Sequence, residues 1–278
     1  MTATRPSPEL QPLGPAPAGR YGLGGVLGSE WTKLVTVRST VWALVATAVA
    51  GVGIGALVTS AQAARFATRS RLAQLAFDPT RSSLAGMLLA QLAIGVLAVL
   101  LVSAEYGTGT VRSTFAAVPR RLYVLVAKAA LFAAVAFVIG EVVSFVAFLI
   151  GQHILAGRAP TASLSDPTVV RAVVSGGLYL TALGLFALGL ASVIRHTAGS
   201  ISAFVGSLFV LPIIADVLPS SFAADVDRYL PADIGTVMLS ANYHGTDPFG
   251  PWVSFAILCG YAAAALVVGG VLLVRRDA

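Results

Sequence analysis

The chain reads as an all-α integral membrane protein with six transmembrane helices, on three observations. Of its 278 residues, 57% are hydrophobic and 11% are charged, with a mean hydropathy of +0.87; soluble domains carry about 25% charged residues. Six apolar runs are each long enough to cross the ~30 Å hydrocarbon core of a bilayer. Between them lie short loops and one longer segment, Pro219–Pro251, which leaves no room for a soluble catalytic domain of ordinary size.

Residues 1–24, MTATRPSPELQPLGPAPAGRYGLG, are rich in Pro and Gly with little to bury, and are expected to form a disordered tail. They lack a charged start running into a short apolar stretch, so no signal peptide is expected. Residues 25–278 form one membrane domain. It opens on GVLGSEWTKLVTVRST, where Leu27, Trp31 and Leu34 recur at helical spacing opposite Glu30, Lys33 and Thr36. A Trp beside cations suits a helix lying in the membrane interface; the alternative is a polar extension of the first span.

The predicted spans are Val41–Ser60, Leu84–Ser103, Ala129–Gly151, Ala172–Ile194, Ala198–Leu218 and Trp252–Val274. GVGIG at Gly51–Gly55 lies in mid-span with no strand before it, so it reads as small residues for close helix approach rather than a dinucleotide loop. Gly184 and Gly189 in span four read the same way. Pro212 in span five removes a backbone donor and is expected to kink that helix or end it early.

Charge sets the expected orientation. With the amino terminus inside, the inner side holds eleven cations and the outer side seven, so both termini are placed in the cytoplasm. The outer cations include Arg65, Arg69, Arg71 and Arg81 between spans one and two, a loop that suits contact with lipid headgroups. The net charge of +6 is thus a membrane signature, and nucleic acid is not an expected partner.

Candidate chemistry is sparse. Glu141 stands near the centre of AALFAAVAFVIGEVVSFVAFLIG, where a charge costs roughly 2.5–3.5 kcal/mol on insertion scales. It is expected to face the bundle interior and hydrogen-bond to neighbouring helices, with proton handling as the competing role. His153, His196 and His244 lie apart, at span ends or in loops, without metal-ligand spacing. The single Cys259 lies inside span six and reads as a small hydrophobe. No nucleophile elbow occurs. Neither lysine, Lys33 or Lys128, follows a glycine, so GxxxxGK[ST] cannot occur; no catalytic residue, metal or cofactor is expected, and any ATPase is another polypeptide.

The richest polar segment joins spans two and three: SAEYGTGTVRSTFAAVPRRLYVLVAK, Ser103–Lys128. Gly107 and Gly109 permit a tight turn, Thr110 or Ser113 could cap a short helix, and Pro119 stops it. Within Tyr106–Pro119, Val111, Phe115 and Val118 share one face of a helix, flanked by Glu105, Tyr106 and Arg112. Such a segment suits docking to a soluble partner; paired cations at anionic lipid are the plainer reading.

EWTKLVTVRST before span one, AEYGTGTVRSTFAAVPRR after span two, IGEVVSF inside span three, IRHTAG between spans four and five and the terminal VRRDA together resemble the permease subunits of actinobacterial ATP-binding-cassette (ABC) exporters of the six-span class. The resemblance covers roughly Gly25 to the end, and EYGTGTVR is its specific part. It implies a half-transporter: two permease subunits, each engaging a separate ABC ATPase, two ATPase copies per complex, in a bacterial plasma membrane. It also implies that Tyr106–Pro119 is the coupling helix, that Val26–Arg38 packs beside it, and that Pro219–Pro248 forms short re-entrant helices. The Arg-rich first outer loop, residues 61–83, is longer than in the tightest members, and its role stays open. Export of a small amphipathic or lipid-like compound is the expected function. A secondary transporter using Glu141 as its proton site, or a membrane subunit without transport, are the alternatives; the former folds tend to show internal repeats, which are not evident here.

Overall fold

The computed structural model describes residues 23–111, 121–217, 226–242 and 249–275. Among them every regular element is helical. Six helices are long and apolar enough to cross a membrane: Arg38–Thr68, Met87–Gly107, Arg121–Leu155, Pro167–Ile194, Thr197–Ala215 and Pro251–Arg275. Each contains most of one predicted span, so the protein is an all-α, multi-pass membrane protein. The largest departure is span three, whose 35-residue helix begins at Arg121 rather than near Ala129. Lys128 ended the apolar run in the sequence, but in the fold it is enclosed by ion partners and the helix runs on through it.

The amphipathic segment is a separate helix, Leu23–Thr36, divided from span one by the extended residue Val37 (φ −81°, ψ 117°). It is therefore no simple extension of the span. It rests on the first turns of span three, where Val26 packs with Val124 and Ala127.

The core is centred on spans two and four. In their most apolar stretches 56% and 61% of residues are buried, against 17% in span one and 22% in span five. Small residues make this possible, because without a hydrophobic drive between helices the backbones must come close. Gly140 of span three faces Gly177 of span four so closely that an added Cβ would lie 2.9 Å from the Gly177 Cα. Gly189 likewise meets span six, where an added Cβ would lie 2.6 Å from the Ala265 Cβ. Buried hydroxyls bridge helices at the same level: Ser144 Oγ donates to the Val173 carbonyl at 2.6 Å.

Spans one and five each contain a π-helical stretch, Val49–Ile54 and Gly206–Val210. The first includes most of GVGIG, and Gly51 lies against Val143, Ala90 and Met87, a packing role. The second directly precedes Leu211–Val217, where Pro212 cannot donate to the preceding turn. The helix is not ended there; its regular geometry is interrupted one turn earlier instead.

Gly86, just before span two, is the tightest test of this packing. An added Cβ would lie 2.6 Å from Gly55 N and 2.7 Å from the Ala50 carbonyl oxygen, both backbone atoms that cannot swing aside. Gly86→Val is expected to destabilise the fold by about 1–3 kcal/mol through overpacking. Gly53→Ala, where an added Cβ meets nothing within 4 Å, should be close to neutral. Thermal unfolding in detergent checks both, and an unchanged midpoint for Gly86→Val would contradict this contact.

Candidate functional site

At the end of the bundle where span two finishes and span three begins, four charged side chains close into a quartet. Glu30 and Lys33 come from the amphipathic helix, Glu105 from the last turn of span two, and Lys128 from span three. Glu30 receives hydrogen bonds from Lys33 at Oε1 and from Lys128 at Oε2, both at 2.6 Å. Glu105 Oε1 accepts from Lys33 at 2.7 Å and from Lys128 at 3.1 Å. Every lysine thus touches both carboxylates. The Glu30 and Lys128 side chains are only 4% and 6% exposed, a depth at which an unpaired ion costs several kcal/mol.

The electrostatics follow from this closure. Burial alone would raise the Glu30 carboxyl, but Lys128 first and Lys33 second outweigh it and hold Glu30 below the ordinary carboxylate value. Burial alone would lower the Lys33 ammonium, and hydrogen bonds and charge from Glu105 and Glu30 instead raise it. A depressed acid stabilises the fold above its unfolded value near 4.5, and that contribution is lost as pH falls through the folded value. A raised lysine stabilises below about 10.5, and its contribution is lost as pH rises through the folded value. The contributions of Glu30 and Lys33 are therefore both present across the neutral range.

The amphipathic helix presents a different face from the one its spacing suggested. Leu34 is buried and Leu27 half-buried, but Trp31 is half-exposed, and Glu30 points inward with Val26 and Leu34 at i, i+4 and i+8. The ion partner on span three brings the carboxylate inside.

The segment read from the sequence as a docking element begins in the same place. Span two ends at Gly107, Gly109 turns the chain with φ +71°, and a further helix starts at Thr110. Val111 is buried beside Val124, Leu125, Lys128 and Leu273, and it lines a small cavity with Glu105 and Tyr106. Arg112, Phe115 and Val118 lie outside the described residues, as does most of the predicted coupling helix. Tyr106 lies under the Arg195 guanidinium, 5.4 Å from its ring centre. Arg195 adopts the left-handed conformation that ends span four (φ 60°) and donates to the Leu272 carbonyl at 2.9 Å. Arg121 donates to the Leu273 carbonyl at 3.2 Å. Two cations thus satisfy the last turn of span six, where helix carbonyls have no partner of their own.

Glu141 is placed between spans three and four. Its carboxyl covers Gly177, where an added Cβ would lie 2.7 Å from the Glu141 Cδ. Both carboxyl oxygens are enclosed and have no hydrogen-bond partner among the described residues. The expected hydrogen bonds to neighbouring helices are not made, because the nearby hydroxyls are already spent on backbone: Ser144 on Val173 and Thr181 on Gly177.

The opposite end holds contacts that the sequence did not point to. Asp78 caps Pro79–Ser83 by accepting from the backbone of Thr80 and Arg81. Its other oxygen accepts from Ser240 Oγ at 2.7 Å and from the backbone of Ala241 and Asn242. Arg171, in the first turns of span four, donates to the Met238 and Ser240 carbonyls. Asp78 and Arg171 therefore clamp the C-terminal end of a short helix, Pro231–Met238. Its Gly235 sits against the ring of Tyr179, whose hydroxyl donates to Gln91 and reaches the Pro231 carbonyl at 3.3 Å. The Asp-Pro pair at 78–79 signals a helix cap in sequence, but not its second set of partners. Part of the loop 61–83 thereby has a structural role. Of the predicted re-entrant stretch, residues 219–225 and 243–248 lie outside the described residues.

Among the described residues no three His, Cys, Asp or Glu side chains group as metal ligands would. No family model matches the chain, and no curated protein matches it with significance.

Removing one member of the quartet tests its weight. Lys128→Met strands two carboxylates on the single remaining cation, and is expected to destabilise the fold by about 3–5 kcal/mol. Glu30→Gln combined with Lys128→Met should recover part of that loss. Thermal melts of both variants and the wild type in detergent decide the point; equal midpoints for Lys128→Met and wild type would remove the quartet from the stability account.

Proposed function

We propose that the chain is the membrane subunit of an ATP-driven ABC transporter, energised by a separate ATPase and working as a pair of permease subunits with two ATPase copies. In this reading both termini are cytoplasmic, the membrane is a bacterial plasma membrane, and the cargo is a small amphipathic or lipid-like compound moving outward. The observation that carries it is the ion quartet. Glu105, one residue before the docking segment, is tied through Lys33 and Lys128 to the amphipathic helix and to span three. A push on residues 106–119 therefore reaches three elements through short, charge-assisted bonds instead of dissipating in a loose loop. The absence of GxxxxGK[ST] assigns nucleotide chemistry to the partner.

The docking surface is testable at Phe115. Phe115→Asp places a charge at the centre of the proposed interface, and an uncompensated buried charge costs about 3–5 kcal/mol. The variant should insert normally yet fail to retain or stimulate the partner ATPase, whereas Phe66→Asp, at the opposite end of span one, should retain it. Wild-type copurification and transport by Phe115→Asp would overturn the assignment.

A second reading, proton-coupled transport, is favoured by one observation: the enclosed, unpartnered carboxyl of Glu141. Glu141→Gln keeps the shape and removes the ionisable proton. For an ATP-driven exporter, transport by this variant should persist and show no new dependence on pH. Loss of transport with assembly intact would favour the proton-coupled reading.

A further inference from the structure

Spans three and six enclose a groove of about 560 Å³ at the basic end of the bundle. That volume lies inside the roughly 300–1,000 Å³ of small-molecule sites. Its walls are Leu122, Leu125 and Val126 on span three and Val267, Gly270 and Val271 on span six, and among the described residues its one charged lining residue is Arg275. Gly270 keeps the floor open: an added Cβ would already lie 3.2 Å from Leu122 Cδ2 and 3.6 Å from Leu125 Cδ2. The rim faces outward, with Val126 58% and Val267 64% exposed.

We propose that this groove is a binding site for an anionic glycerophospholipid of the adjacent leaflet, one acyl chain lying between spans three and six and the headgroup phosphate at Arg275. Charge selects this occupant. Among the described residues no carboxylate lines the groove, and at the same end of the bundle Arg121 reaches the Leu273 carbonyl beside it. At this end of the bundle Glu30 and Glu105 are held by lysines. The described lining thus combines apolar walls with one arginine at the end of span six, the arrangement by which basic pockets between spans take anionic lipid. A second copy of the chain fits less well. A two-fold contact places the same patch of both subunits face to face, which would bring the two Arg275 side chains to one depth, where like charges repel.

The test is lipid retention by the purified full chain. Mixed micelles offer equal amounts of palmitoyl-oleoyl phosphatidylglycerol and palmitoyl-oleoyl phosphatidylcholine, and native mass spectrometry counts the lipid kept. Wild type should hold one phosphatidylglycerol in preference to phosphatidylcholine, and inorganic phosphate should not displace it. Arg275→Gln should cut the preference by roughly fivefold, the worth of one cation at a charged surface. Val267→Trp, at an outward position that tolerates bulk, should abolish retention without shifting the unfolding midpoint; Gly270→Leu fills the same groove from its floor. Equal retention of the two lipids, retention unchanged by Val267→Trp and Gly270→Leu, displacement by inorganic phosphate, or cross-links between copies through Val267→Cys would each overturn the proposal. The outcome does not depend on whether the chain works with an ATPase.

Discussion

A buried ion can be kept inside a membrane protein only where enough opposite charge and hydrogen bonding surround it, and one such closure organises the basic end of this bundle. Glu30, Lys33, Glu105 and Lys128 satisfy one another across three helices. Their sum is neutral, so Glu30 and Lys128 can be buried, yet no member can be left behind without stranding another. That requirement sets the pose of the amphipathic helix, which turns its carboxylate inward and leaves Trp31 outward. It also sets where span two stops, because Glu105 must stay in reach of both lysines before Gly107 and Gly109 release the chain.

Around this end the spans are held by different means. Spans two and four form the close-packed centre, where glycine faces and buried hydroxyls let backbones approach. Span six is drawn onto that centre by Gly189 along its length, while the arginines of two neighbouring elements satisfy its final carbonyls. Spans one and five carry the π-helical stretches and bury least. Elements with few buried contacts are those where local opening costs least, and these two spans are such elements. At the far end the short helix Pro231–Met238 is locked by Asp78 and Arg171, so the ends differ in kind: an ion cluster at one, backbone-directed side chains at the other.

Glu141 differs from every charge in the quartet. It sits at the middle of a span, against Gly177, with no partner among the described residues. The quartet shows what this fold does with a structural charge, which is to surround it. At Glu141 the space over Gly177 accommodates the carboxyl's bulk without supplying a polar partner among the described residues.

Much of the architecture was legible in the sequence, because membrane insertion is a local, one-dimensional problem. A run of about 20 apolar residues has few alternatives to a spanning helix, so the six spans, the amphipathic helix and the packing role of Gly51 and Gly189 could be read directly. Boundaries failed where a charge interrupted the run, as at Lys128, since hydropathy cannot register a partner 98 residues away. The amphipathic helix shows the same limit: spacing found its period and set Glu30 opposite Leu34, whereas the fold buries both. Pairings between distant positions, such as Asp78 with Ala241, Arg195 with Leu272 and Glu30 with Lys128, leave no periodic trace in the chain. Composition and period determined which segments enter the membrane; only tertiary structure decided which charges meet there, because a polar group's burial depends on a partner brought near by folding.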